Sequence, residues 1–179
     1  IMISDYELVE NPLTGVFVRS KEQSSCPCCN GKLKCIGSRT RKFSDNIGDK
    51  KLRVRRLRCK TCNKIHHELP DFLIPYKRYG SKSIESVVMD DKNTPVPADE
   101  STLFRWRTWF KESVHHFVGC LTSIAIRLGR ASVGDFYNTM SLLQRLWHYV
   151  GDAEGWLARV VRSVVNSNSW LHTRSAFLT

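Results

Sequence analysis

Acidic residues are scarce in this chain. Its 179 residues carry 17 Asp and Glu against 28 Lys and Arg, a formal charge of +11 with a pI near 9.6. That balance excludes an acidic solvating segment and favours a polyanionic partner, either nucleic acid or an anionic membrane surface. Long apolar runs are also missing. None reaches the roughly 18 residues that a bilayer span needs, and no basic-then-apolar leader opens the chain, so the expected setting is cytosolic with no membrane partner. Internal repeats and low-complexity tracts are absent, which excludes a solenoid and a disordered tail. An even cysteine complement is missing too. Seven cysteines without a leader fit a disulfide scaffold poorly and make metal binding the default.

What is present suffices for one fair-sized domain or two small ones: 41% hydrophobic residues, with five Trp and eight Phe. The expected class is α+β, a small zinc ribbon of β-hairpins followed by a mainly α-helical region. Residues 1–20 read as an N-terminal strand segment, two short runs around the turn signal Asn11-Pro12 with Gly15 easing the return. Residues 21–75 read as the ribbon, 76–125 as a helix-turn-helix-like region and 126–179 as a C-terminal helical region. Within these, the expected helices run from about Lys82 to Met89, from Asp99 or Ser101 onward, from about Val133 to Val150 and from about Ala153 to Val165; Pro95 and Pro97 bar a helix between the first two.

The cysteines carry the chemistry. Cys26 and Cys29 make one C-x-x-C pair, and Cys59 and Cys62 make another. Two such knuckles supply the four thiolates that Zn²⁺ accepts in a closed structural site, so one zinc ion per chain is expected. The 29 residues between Cys29 and Cys59 exceed the usual 15 to 20 or so. Loop-closure entropy grows only logarithmically, so the excess costs little. The insert also reads as a hairpin, KLKCIGSRTRKF turning through SDNIGDK into KLRVRRLRC, which would bring the knuckles together. The plainer alternatives are small buried hydrophobes or a redox pair. Cys28 competes with Cys26 and Cys29 inside CPCC, and His66 competes for the fourth position. Cys35 and Cys120 read as packing residues.

Eleven cations and only Asp45 and Asp49 lie between the knuckles, and Lys60 adds a twelfth cation inside the second. Arg39, Arg41, Lys42, Lys51, Arg53, Arg55, Arg56 and Arg58 are candidate phosphate contacts. On the last strand Leu52 and Val54 would share one face and Arg53 and Arg55 the other, with a bulge shifting the order at Arg56-Leu57. In the helix after the proline loop, Leu103, Trp106, Phe110, Val114, Phe117 and Leu121 recur at helical spacing. Thr102, Arg105, Thr108 and Trp109 would point elsewhere, and the first three are residue types that reach base edges or phosphates in a major groove. With the preceding helix this one would form a helix-turn-helix with an enlarged turn; an ordinary helical hairpin is the alternative.

The succession CPCC, RRLRCKTCNKIHHELPDFLIPYKRY, DESTLFRWRTWF and VVNSNSWLHTRSAFLT resembles the bacterial family DUF6431. That family is in turn similar in its N-terminal part to the zinc-ribbon and helix-turn-helix front ends of insertion-sequence transposases. The resemblance implies a nucleoid-associated DNA-binding protein of a mobile element or phage, with Cys26, Cys29, Cys59 and Cys62 on the metal. It implies no established activity. A non-enzymatic module is expected, binding double-stranded DNA and self-associating or docking to a recombinase or transposase through its C-terminal helices. The alternatives are a catalytic fragment using Asp135, Asp152 and Glu154 with Mg²⁺, and an RNA-binding ribbon.

Overall fold

The computed structural model describes residues 1–11, 15–45, 48–91, 96–130 and 139–170. The chain divides into two compact units, Ile1–Ser81 and Lys82 onward, and the class is α+β. Among the described residues no helix is long and apolar enough to cross a membrane.

The first unit is built of strands. Its main sheet takes the order β2 (Tyr6–Asn11), β3 (Gly15–Ser20), β5 (Gly48–Cys59), β4 (Leu33–Asp45), and β6 (Ile65–His67) also pairs with β5. β2 and β3 form the expected antiparallel hairpin, from Tyr6 opposite Ser20 to Asn11 opposite Gly15. Pro12 lies outside the described residues. β3 then runs parallel to β5, with Val16 opposite Leu52 and Phe17 opposite Arg53, so the N-terminal segment joins the sheet that carries the knuckles. β1 (Met2–Ile3) pairs in parallel with β7 (Leu69–Pro70). Leu52, Val54, Leu57, Leu73, Ile74, Met2 and Ile3 are buried, which makes β5 the strand around which the unit packs.

The β4–β5 hairpin is the long insert between the knuckles, running in register from Leu33 opposite Cys59 to Asp45 opposite Gly48. Asn46 and Ile47 of the expected turn lie outside the described residues. The expected irregularity at Arg56-Leu57 falls on the opposite strand. The ladder slips between Cys35 and Gly37, while β5 pairs β6 without interruption from Arg56 to Arg58. A bulge adds its residue to one strand only, here Ile36 on β4.

The second unit is helical: α1 (Ser81–Val88, from the boundary), α2 (Glu100–Arg127), α3 (Leu142–Val150) and α4 (Trp156–Asn166). Asp99 caps α2, its carboxylate accepting from the Thr102 N–H at 2.6 Å. Ser141 and Gln144 form a capping box on α3. The expected helix from 133 is thus shorter, starting at Leu142; residues 133–138, Phe136 among them, lie outside the described residues. Its buried side chain is Leu146, while Leu143 and Trp147 are partly buried. α4 begins at Gly155, which offers no side chain to cap it. Glu85 of α1 takes that role, its buried carboxylate accepting from Gly155 N at 2.7 Å and Leu157 N at 2.8 Å. Residues 92–95, between α1 and α2, lie outside the described residues, as does Pro95 with them, and the described residues do not define a helix-turn-helix.

Candidate metal centre

Each knuckle is a tight turn with the same backbone pattern. In the first, Cys26 N donates to Gly31 O at 3.0 Å; in the second, Cys59 N donates to Lys64 O at 2.9 Å. The residue after each second cysteine, Asn30 and Asn63, sits in the left-handed region at φ 59° and 58°. Asparagine tolerates that region better than most side chains. The knuckle sequences CPCCNGK and CKTCNKI therefore share more than their cysteines, and asparagine at this place was the signal that sequence reasoning passed over.

The hairpin closes the two turns onto each other. Leu33 opposite Cys59 and Lys60 N donating to Lys32 O at 3.0 Å set the knuckles side by side. The sulfurs of Cys26, Cys29, Cys59 and Cys62 all lie within 4.8 Å of one another. Cys26 and Cys62 are 3.6 Å apart, and Cys29 and Cys59 are 3.5 Å apart. A tetrahedron with zinc–sulfur bonds of about 2.3 Å has edges of about 3.8 Å, so this donor set fits one metal ion. Gly31 also belongs to the cradle. A Cβ there would fall 2.5 Å from Thr61 Oγ1 and 3.0 Å from Cys59 Sγ, so a side chain would push into the cluster.

The electrostatics favour a cation. Cys59 is lowered to about 6, first by the Cys62 N–H and then, against its burial, by the Thr61 N–H; the two amides reach its sulfur at 3.4 and 3.3 Å. Cys62 goes up to about 12: the Lys64 N–H lowers it, and burial and the three neighbouring sulfurs raise it by more. Four sulfurs this close do not all ionise unless positive charge sits among them.

Of the two rivals, His66 comes nearer. Its Nε2 lies 3.3 Å from Cys26 Sγ, and Cys26, Cys28 and His66 form a second group with ligand atoms within 4.8 Å. Cys28 also lies 3.7 Å from Lys64 Nζ. Both share Cys26 with the four-sulfur cluster.

The candidate phosphate contacts divide into two sets. Three are engaged internally. Arg41 donates to the Ile74 and Lys77 carbonyls at 2.7 and 2.8 Å. Arg53 lies 5.0 Å over the Phe17 ring and donates to Ser38 at 3.0 Å. Arg55 grips Glu68 with two bonds, at 2.5 and 2.8 Å, and Glu68 is only 1% exposed. Arg39, Lys42, Lys51 and Arg58 are exposed and Arg56 is half-exposed.

On α2, Arg105 is exposed while Thr102 and Thr108 are half-buried. Trp106 is buried as expected. Trp109 is not turned outward: it is 2% exposed and packs edge-on to Phe117 at 5.9 Å and against Trp170 at 6.4 Å. It follows Trp106 by three residues and so shares its side of the helix. Phe104 takes the outward place, 69% exposed. Of the candidate catalytic acids, Asp152 and Glu154 are exposed between α3 and α4, with Glu154 paired to Lys82 at 2.6 Å; Asp135 lies outside the described residues.

Residues 26–106 match the model of the family described as domain of unknown function DUF6431. The match takes in both knuckles, the hairpin, α1 and the start of α2. It stops short of the C-terminal helices that the sequence resemblance had included. No curated protein and no solved structure matches the chain.

Proposed function

We propose that the DUF6431 stretch is a zinc ribbon that binds double-stranded DNA, and that the chain is a non-enzymatic accessory or regulatory factor in recombination, transposition or transcription of a mobile element or phage. One observation carries this reading. The four-sulfur cluster stands at the foot of a hairpin whose exposed cations outnumber nearby acids, a combination suited to holding a rigid basic surface against phosphate.

Cys26, Cys29, Cys59 and Cys62 would hold the zinc, which would supply a cross-link rather than chemistry. Four thiolates fill a tetrahedral shell and leave no position for water. Arg105, exposed near the start of α2, is the side chain best placed to read a base if α1 and α2 act as a helix-turn-helix. A docked recombinase or a second copy of the chain would use the helical unit.

Retention on duplex DNA, single-stranded DNA and RNA at several salt concentrations tests the reading. Tight duplex binding whose log K falls against log salt with a slope near −5, as release from about six phosphates gives, supports it. Stronger binding to RNA moves the function to RNA, and Mg²⁺-dependent cleavage of any of the three makes the chain an enzyme. A slope near zero means that the charge serves solubility alone.

A further inference from the structure

The basic hairpin has two faces, and they differ in kind. β5 carries no extra residue from Leu52 to Arg58, so alternation continues through Arg56-Leu57. Arg56 and Arg58 therefore fall on the side of Leu52 and Val54, whereas Leu57 and Cys59 fall on the side of Lys51, Arg53 and Arg55. Directly paired residues share a face. Arg39 stands opposite Val54, Lys34 opposite Arg58 and His67 opposite Arg56. These four cations, Lys34, Arg39, Arg56 and Arg58, and His67 belong to one face, spread over β4, β5 and β6.

On the other face the guanidiniums are neutralised or stacked, Arg55 on Glu68 and Arg53 on Phe17. The Leu52 face is closed at the turn end, where Phe43 packs on Phe72 at 5.4 Å and Arg41 is clamped by two carbonyls. Towards the metal end it opens. Lys34, Arg39 and Arg58 are exposed there, and Arg56 and His67 are half-exposed. Among the described residues the ion pairs leave Lys34, Arg39, Arg56 and Arg58 without a carboxylate. Gly37 stands opposite Arg56 on β4 and leaves a gap in the row of side chains, since a Cβ built there meets nothing within 4 Å. His67 is held below the usual imidazole range first by burial and then by the charges of Arg39 and Arg56.

We propose that Lys34, Arg39, Arg56, Arg58 and His67 form the face that seats the phosphodiester backbone, with one phosphate received at the Gly37 gap between Arg39 and Arg56. This rests on the DNA-binding reading above and narrows it. Of the candidate contacts read from sequence, Arg53 and Arg55 hold the unit together, whereas Arg39, Arg56 and Arg58 meet the ligand from the opposite face.

Salt titrations of duplex binding by fluorescence anisotropy separate the two faces. Arg39→Ala with Arg56→Ala removes two charges from the proposed face; Lys42→Ala with Lys51→Ala removes two exposed charges from the other. Arg58→Ala with Lys34→Ala repeats the first change independently should that variant fail to fold, which thermal melting and metal content report. The proposed-face variants are expected to flatten the log–log slope by about one to two units, as loss of one to two phosphate contacts does, and the other pair by less than half a unit. Equal losses from both faces, or a larger one from Lys42 and Lys51, overturn the assignment while duplex binding itself stands. Wild-type protein that binds no duplex at any salt concentration removes the DNA-binding reading and this face together.

Discussion

All five tryptophans lie in the helical unit and six of the seven cysteines in the β unit, and the two interiors differ accordingly. In the helical unit Trp109, Phe117 and Trp170 pack on one another, with Phe117 and Trp170 stacked at 6.0 Å. Trp156 receives Phe110 at 5.6 Å and Trp147 at 6.3 Å. Large aromatic burial of this kind stabilises without any ligand. In the β unit the core gathers on β5, while β4 is exposed from Lys34 to Thr40. That length of β4 is exposed, so its order must come from the ladder to β5 and from what ties its open end. The comparison teaches that both units have an apolar core, but that the exposed arm of the hairpin in the β unit lies beyond its core and would depend on a metal cross-link at the knuckles.

The largest effect that sharpens this contrast comes from the cross-link. Metal-coupled folding in zinc-finger peptides carries apparent energies of about 10 to 16 kcal/mol, so Cys59→Ser or a strong chelator should unfold the knuckles and the β4–β5 hairpin while α2 to α4 persist. Amide hydrogen exchange read unit by unit checks it; simultaneous loss of protection in both units would break the comparison. Next in size is Trp109→Ala, which should cost the helical unit about 3 to 5 kcal/mol, the usual range for a core aromatic cut to alanine. Denaturant melts followed by tryptophan fluorescence measure it, and metal content should be unchanged. A smaller loss, about 1 to 3 kcal/mol, is expected from Glu85→Ala, which leaves the amides of Gly155 and Leu157 buried without their acceptor. Glu85→Gln, which keeps an acceptor, should recover part of it.

The knuckles could be read from sequence because a C-x-x-C turn is a local object: its ligands, spacing and hairpin all lie within adjacent runs. Long-range pairing was less legible. The parallel pairing of β3 with β5 and the burial of Glu68 under Arg55 join residues that no periodicity links. The face of β5 was misread for a related reason. Alternation of apolar and basic residues breaks at Arg56-Leu57, and on an edge strand that break would imply a bulge. β5 is instead an interior strand, flanked by β3, β4 and β6, with cover on both faces, so Leu52 and Leu57 can each be buried on opposite sides without any slip. Trp109 was misassigned because a narrow apolar stripe was expected. A helix of 28 residues that packs against both α3 and α4 buries a wider arc, and Trp106, Trp109, Ser113 and Phe117 all fall within it.

The central claim is that the four sulfurs hold one metal ion, and metal stoichiometry tests it most directly. Protein purified without chelator should contain one zinc per chain by elemental analysis, with Cys59→Ser losing it and Cys35→Ser keeping it. Wild-type protein that carries no metal, yet protects the β4 and β5 amides as well as those of α2, would contradict the account.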